Sequence, residues 1–259
     1  MSEASFEQPI AIVTAGGMNP QIMINALAAR FPNVTVIEEQ PEPKSVLLKR
    51  RAKKLGWINA GGQLATMIVS RLGKKFAAAR QTEILKEFAV SAEQNPHVPV
   101  IHVASVNTPD FLDAVRTVSP AVIFTVSCRI LSARTLAALP CPVINFHAGI
   151  NPAYRGQMGG YWSLVSGDAN NFGATVHLVD AGIDTGETLY EKRVTPSKSD
   201  TMLTYPLLLT ASCTDIAIKA VEDVLASRAA TYKPSGPSKM YYNPPIWTWL
   251  WNGVSKGIW

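Results

Sequence analysis

The chain has 259 residues and a formal net charge of +5, with 47% hydrophobic and 17% charged residues. Those proportions exclude a largely disordered chain and fit one large α/β domain, with or without a short appendage. Three cysteines, Cys128, Cys141 and Cys213, are too few and too scattered for a disulfide framework or a zinc knuckle, so a reducing compartment is expected and no metal is assigned. The opening MSEASFEQPI lacks the apolar core of a signal peptide. Residues 55–70, a long uncharged stretch, are too few and too polar to span a bilayer, so a cytoplasmic protein is the expectation. The mild positive balance selects no partner among anionic small molecules, nucleic acid and a membrane surface.

Residues 10–14 (IAIVT) are a continuous apolar run closed by Ala-Gly-Gly, the pattern of a buried parallel strand and a tight turn. A helix is expected over 20–30, with Asn19 as N-cap and Pro20 as its first residue, then a strand over 34–38. This β-α-β unit is the usual start of a doubly wound sheet. Segment 44–88 departs from the pattern: it holds eleven Lys and Arg residues, and its only acids are Glu83 and Glu87. Breaks near Gly56, Gly61–Gly62 and Gly73 divide it into two or three helices. The plain reading is a solvated helical insertion with a basic face; the sharper readings are a phosphate-binding patch or a membrane-surface helix.

Alternation then resumes. Strands are expected over 98–103, 121–126, 143–146, 173–179 and 187–194, and helices over 108–117, 133–138 and 159–166. One long amphipathic helix over 200–227 closes the ordered core. The division is therefore a domain over 1–228 and an aromatic C-terminal extension over 229–259. In that extension Trp247, Trp249 and Trp251 alternate at strand period, with three indoles on one face. Such a segment packs over the core, covers a homodimer contact, or makes a peripheral membrane contact.

Asn145 and His147 follow an apolar run, and residues two apart in an extended segment project to one side. Ligands of open parallel sheets bind beyond the carboxyl ends of strands. An amide N–H there can meet a developing oxyanion while an imidazole handles a proton. Alone, the pair is weak. It is followed by a Pro-x-x-x-Gly loop at 152–156, Gly167-Asp168, and Ile183-Asp184-Thr185-Gly186, and preceded by Ser127-Cys128-Arg129-Ile130-Leu131-Ser132. In this order and spacing the chain resembles the 10-formyltetrahydrofolate-dependent formyltransferases over residues 120–195, with weaker similarity back to residue 10.

The resemblance implies a Rossmann-like α/β formyltransferase fold with a mostly parallel sheet flanked by helices. It implies a catalytic triad of Asn145, His147 and Asp184, acting on 10-formyltetrahydrofolate as co-substrate without a metal. Asn145 would donate to the formyl oxygen, His147 would stabilise charge or supply a proton, and Asp184 would orient the imidazole and help relay the proton. Arg129, Ile130 and Leu131, chiefly through their backbone, and Val179, Asp180 and Ile183 on the opposite wall, would hold the pterin. Substrate binding would fall to Gly17, Met18 and Asn19 in the first glycine turn, which resembles the family's phosphate-binding turn, and to Tyr154 and Arg155. His177 reads as a packed or half-exposed strand residue, and a solvated charge is the alternative for Arg129.

The family's acceptors differ, and the preferred one is the amine of a nucleotide-linked amino sugar, such as a dTDP- or GDP-linked 4-amino-4,6-dideoxyhexose. Tyr241, Tyr242, Trp247, Trp249 and Trp251 are candidates to stack on its base. A nucleic-acid acceptor is disfavoured. Glycinamide ribonucleotide or another amine, hydrolysis of the formyl donor, and a non-catalytic binding protein are the alternatives.

Overall fold

In the computed structural model, which describes residues 6–259 (the backbone alone at Lys74), the first unit is β1 (Ile10–Thr14), α1 (Met18–Arg30) and β2 (Val34–Glu39). Every residue of β1 is buried, as its unbroken apolar run requires. α1 begins two residues earlier than expected: Gly17, with φ 112°, is its N-cap, so Asn19 and Pro20 lie inside the first turn. Three helices fill the basic segment: α2 (Lys44–Leu55), α3 (Trp57–Leu72) and α4 (Lys74–Glu87). Breaks fall at Gly56 and Gly73, but α3 runs through Gly61–Gly62. Gly62 is kept by a close approach, because a Cβ there would lie 2.4 Å from the Trp247 ring.

The chain continues through β3 (Val100–Val103), α5 (Pro109–Val118), β4 (Val122–Thr125), α6 (Ala133–Ala137) and β5 (Val143–His147). A short β6 (Arg155–Gly156) and α7 (Gly159–Val165) precede the hairpin of β7 (Gly173–Leu178) and β8 (Thr188–Arg193). The expected long helix is two: α8 (Tyr205–Ser212) and α9 (Thr214–Leu225), separated at Cys213, while residues 200–204 form a turn. Pro206 at the N-terminus of α8 and the Asp200 carboxylate accepting from Ser197 N and Thr204 Oγ1 fix that later start. The C-terminal segment forms β9 (Met240–Tyr241) and α10 (Ile246–Lys256). The strand period read for Trp247–Trp249–Trp251 is overturned: all three lie on α10, so they do not share one face.

The main sheet has the order β3-β2-β1-β4-β5-β7-β8; its first five strands are parallel and β7 and β8 run antiparallel. Order reverses between β1 and β4, which opens a crevice beyond their carboxyl ends. There Ala15 N donates to Ser127 O and ties the two exit loops together. The apolar cores pack on both faces of the sheet and under α7 and α8. β9 pairs with β6, Asn252 Nδ2 donates to the Tyr161 hydroxyl, and Trp162 Nε1 donates to Tyr242 O. The C-terminal segment thus clasps α7 beside the crevice.

Candidate active site

A cleft of about 460 Å³ occupies that crevice. β5 brings Asn145 and His147 to it on one side of the strand, as their spacing requires. The antiparallel register of β7 sets His177 directly opposite Asn145. The loop after β7 adds Asp184, in the left-handed region at φ 50°. The four side chains form one network. Asn145 Nδ2 lies 3.1 Å from His177 Nε2 and 3.4 Å from Asp184 Oδ1. His147 Nδ1 faces Asp184 Oδ2 at 3.6 Å, and His177 Nε2 faces Asp184 Oδ1 at 3.4 Å.

Outer contacts fix each member. Thr125 Oγ1 lies 2.8 Å from Asn145 Oδ1, which turns the amide nitrogen inward. His147 Nε2 donates to the Tyr154 carbonyl at 2.7 Å, leaving Nδ1 toward Asp184. His177 Nδ1 donates to Leu178 O at 2.7 Å. Gly156 N donates to Asp184 Oδ2 at 2.8 Å, and this glycine has φ 91° with no room for a Cβ against the Tyr241 carbonyl. Burial by itself would raise the Asp184 carboxyl; the electrostatic influence of His147, with the His177 contacts and the Gly156 amide, outweighs it and holds the group well below the ordinary carboxylate range. His177, which the sequence reading set aside as a strand residue, is thus buried in the network. Its signal was the pairing of β7 on β5, which one strand's pattern does not show.

Arg129, Ile130, Leu131, Val179, Asp180 and Ile183 all line the cleft. Arg129 is not a solvated charge. The buried Glu39 carboxylate accepts from Arg129 N at 2.5 Å, Arg129 Nη1 at 3.0 Å and Val106 N at 3.1 Å, and Arg129 Nη2 donates to Gln40 O at 2.6 Å. Glu39, which the sequence reading did not single out, therefore anchors the wall that Ile130 and Leu131 continue. Leu131 and Asp180 engage no other backbone group among the described residues, so each wall of the cleft carries peptide groups without a backbone partner. Ser127, Met158 and Asp184 around the cleft are non-glycine residues with φ between 50° and 59°. Such conformations cost on the order of 1–3 kcal/mol each and concentrate at functional sites.

Of the expected substrate residues, Asn19 lines the cleft. Gly17 and Met18 do not line it, and the Glu38 carboxylate stands against Gly16, leaving the turn less suited to phosphate. Tyr154 is buried, its hydroxyl donating to Asp168 Oδ2 at 2.8 Å and its carbonyl held by His147; it positions and does not line. Arg155 Nη1 donates to Ile183 O at 3.0 Å and braces the Asp184 loop. The proposed stacking aromatics are also elsewhere. Tyr241 is stacked between Tyr154 and Trp162, Lys54 covers Tyr242, Trp247 meets Gly62, and Trp249 meets Trp259. Trp251 lies on the solvent side of α10, and Asn243 is the cleft's C-terminal lining residue. Among the described residues no group of His, Cys, Asp and Glu is arranged to hold a metal ion.

The formyl transferase family profile matches residues 58–208, more than half of the chain. A methionyl-tRNA formyltransferase from Ruminiclostridium cellulolyticum is 32% identical over 123 residues, 47% of this chain and 36% of that protein. One from Desulfotalea psychrophila is 34% identical over 105 residues, 40% of this chain and 32% of that protein. The match thus spans about a third of the length of these curated relatives. Among solved structures, a likely sugar N-formyltransferase from Mycobacterium tuberculosis superposes over 90% of this chain and 75% of its own, with a TM-score of 0.56 and 14% identity. A glycinamide ribonucleotide transformylase from Symbiobacterium toebii superposes over 90% and 96%, with a TM-score of 0.57 and 18% identity. These likenesses establish the fold. With the profile match, they show that this chain belongs to the formyl transferase family.

Proposed function

We propose that this protein transfers the formyl group of 10-formyltetrahydrofolate to the amine of a nucleotide-linked amino sugar. The observation that carries the formyl-transfer reading is the braced convergence of Asn145, His147 and Asp184 at one end of a cleft with free peptide groups on both walls. The acceptor nitrogen attacks the formyl carbon, a tetrahedral oxyanion forms, and the bond from that carbon to the folate nitrogen breaks. Asn145 Nδ2 carries two hydrogens, and its contact to Asp184 is long at 3.4 Å. That hydrogen is the one the oxyanion takes over. His147, with Nδ1 turned to Asp184, stands beside the oxyanion and stabilises the charge that develops there. The acceptor's proton passes through water, oriented by the ionised Asp184 carboxylate, to the folate nitrogen.

The amino-sugar reading rests on the anion-accepting rim. Arg51 on α2 reaches Gln157, a cleft residue, through Nη2 at 3.4 Å, and its other contact is the Met67 sulfur. Burial, then the neighbouring Arg50 charge, lowers the Arg51 pKa against the raising influence of Glu42, and among the described residues Glu42 pairs with Arg50 while Arg51 makes no ion pair. A diphosphate at this rim supplies an anionic partner. One solved neighbour, of which this chain covers 69% at 14% identity, is titled a sugar 3N-formyl transferase in the presence of dTDP and 5-N-formyl-THF.

The test is to incubate the protein with 10-formyltetrahydrofolate and a panel of dTDP-, GDP- and UDP-linked amino sugars, glycinamide ribonucleotide included, and to read products by mass. One formyl group gained on a sugar supports the reading. A gain on glycinamide ribonucleotide alone replaces the acceptor, and free formate without acceptor replaces transfer with hydrolysis.

A further inference from the structure

α3 is turned inside out. Its buried residues are Ala60, Gly62, Gln63 and Thr66, while Trp57, Ile58, Ile68, Val69 and Leu72 face solvent. At 100° per residue these five, with Gly61, fall on one stripe of the helix. α10 repeats the inversion: it buries Asn252 and Gly253 and exposes Trp247, Leu250, Trp251 and Val254, the i, i+3, i+4, i+7 set that a core helix turns inward. Exposure reaches 81% at Ile58, 73% at Leu72, 69% at Trp251, 78% at Val254 and 90% at Phe76 at the start of α4. The two stripes adjoin, because the Trp247 ring lies against Gly62.

Cations accompany this face. α2 packs along α3 and carries the exposed Lys44, Lys49 and Lys53, and exposed Arg71 and Lys75 stand on either side of Leu72 in the chain. Residues 44–88 hold 11 Lys and Arg against two acids, whereas the rest of the chain holds 13 against 17. Charge is therefore concentrated on the segment that displays the apolar stripe.

We propose that the α3–α10 face docks on an anionic lipid surface, with the indoles and aliphatic side chains at the headgroup boundary and the accompanying lysines and arginines on the lipid phosphates. Trp at a boundary and basic residues around an apolar helix face are what such a surface selects. A second copy of this chain fits less well. A two-fold contact sets a patch against itself, so the same excess of cations would meet across it. Among the described residues no helix is long and apolar enough to cross a membrane.

The experiment is flotation of the full chain with phosphatidylcholine vesicles, with and without phosphatidylglycerol, together with tryptophan emission. Cutting at Lys239 would remove β9 from beside Gly156, so point substitutions are used. The expected result is flotation with the anionic vesicles only, weakened by salt, with a blue shift of the emission. Ile58→Ser with Ile68→Ser, and separately Trp251→Ser with Val254→Ser, each weaken partitioning by about tenfold or more. Lys49→Glu with Lys53→Glu does the same without touching the apolar stripe. Circular dichroism identical to the parent shows that the variants are folded. Absence of flotation of the folded parent, or flotation indifferent to all three pairs, overturns the proposal. So does a parent dimer that the apolar pairs dissociate while vesicle binding is nil, which assigns the face to a second copy.

Discussion

Around the cleft, His147, His177 and Glu39 are polar side chains withdrawn from water; on α3 and α10, Ile58, Leu72, Trp251 and Val254 are apolar side chains turned toward it. Both regions depart from the ordinary distribution of residues, in opposite senses. In the cleft every departure is compensated: each imidazole has a carbonyl and a carboxylate beside it, and Glu39 accepts three hydrogen bonds. On the helical face nothing among the described residues compensates. Compensated polarity marks a site built for chemistry, and uncompensated apolar exposure marks a surface built for something outside the chain.

The comparison breaks first if the insertion carrying the exposed face is only loosely attached. Arg80 on α4 donates to Asp200 through Nε at 2.9 Å and Nη2 at 3.0 Å, and the Asp200 side chain is fully buried. Arg80→Leu leaves that carboxylate unpaired and should cost about 3–5 kcal/mol in urea unfolding, while Arg80→Leu with Asp200→Leu recovers a large part of it. A loss near zero for the single variant would mean that the insertion does not depend on this pair.

On the cleft side, Asn145→Ala should lower kcat about 100- to 1,000-fold with donor binding retained. His177→Ala should lower kcat less than Asn145→Ala, because His177 acts by positioning Asn145 and Asp184; steady-state assays on both variants rank them. Asp184→Asn sharpens the electrostatics. Its folded pKa lies below the ordinary 3.8, so its contribution to stability is present above that pH and is lost as pH falls toward the folded value. The stability gap between the parent and Asp184→Asn should therefore narrow as pH drops below about 4. A gap that is constant with pH would show that the carboxylate is not held in its charged form. The smallest effect belongs to the exposed face. Trp251→Ser with Val254→Ser should change folding stability by less than about 0.5 kcal/mol per residue, since neither side chain fills a core.

The parallel strands were legible because buried strands are continuous apolar runs, and β1 and β4 bury every residue. That Asn145, His147 and Asp184 lie together at one cleft was legible because the resemblance carried all three, and the residues it assigned to the two walls line the same cleft. What was lost depends on neighbours that are distant in sequence. His177 enters the site through strand register. Glu39 matters through a loop some ninety residues away. Gly62 lets α3 continue only because Trp247 needs the space. The alternating tryptophans read as a strand because three indoles suggested period two, yet the full set Trp247, Leu250, Trp251 and Val254 has helical period.

Formyl transfer by the braced Asn145–His147–Asp184 group is the proposal on which the mechanism stands. The most direct measurement follows tetrahydrofolate release from 10-formyltetrahydrofolate with and without an amino-sugar acceptor, in the parent and in Asn145→Ala and His147→Ala. The expected result is acceptor-dependent release in the parent, with each variant slowed by about 100-fold or more at unchanged donor affinity. Release at the parent rate in both variants would contradict it.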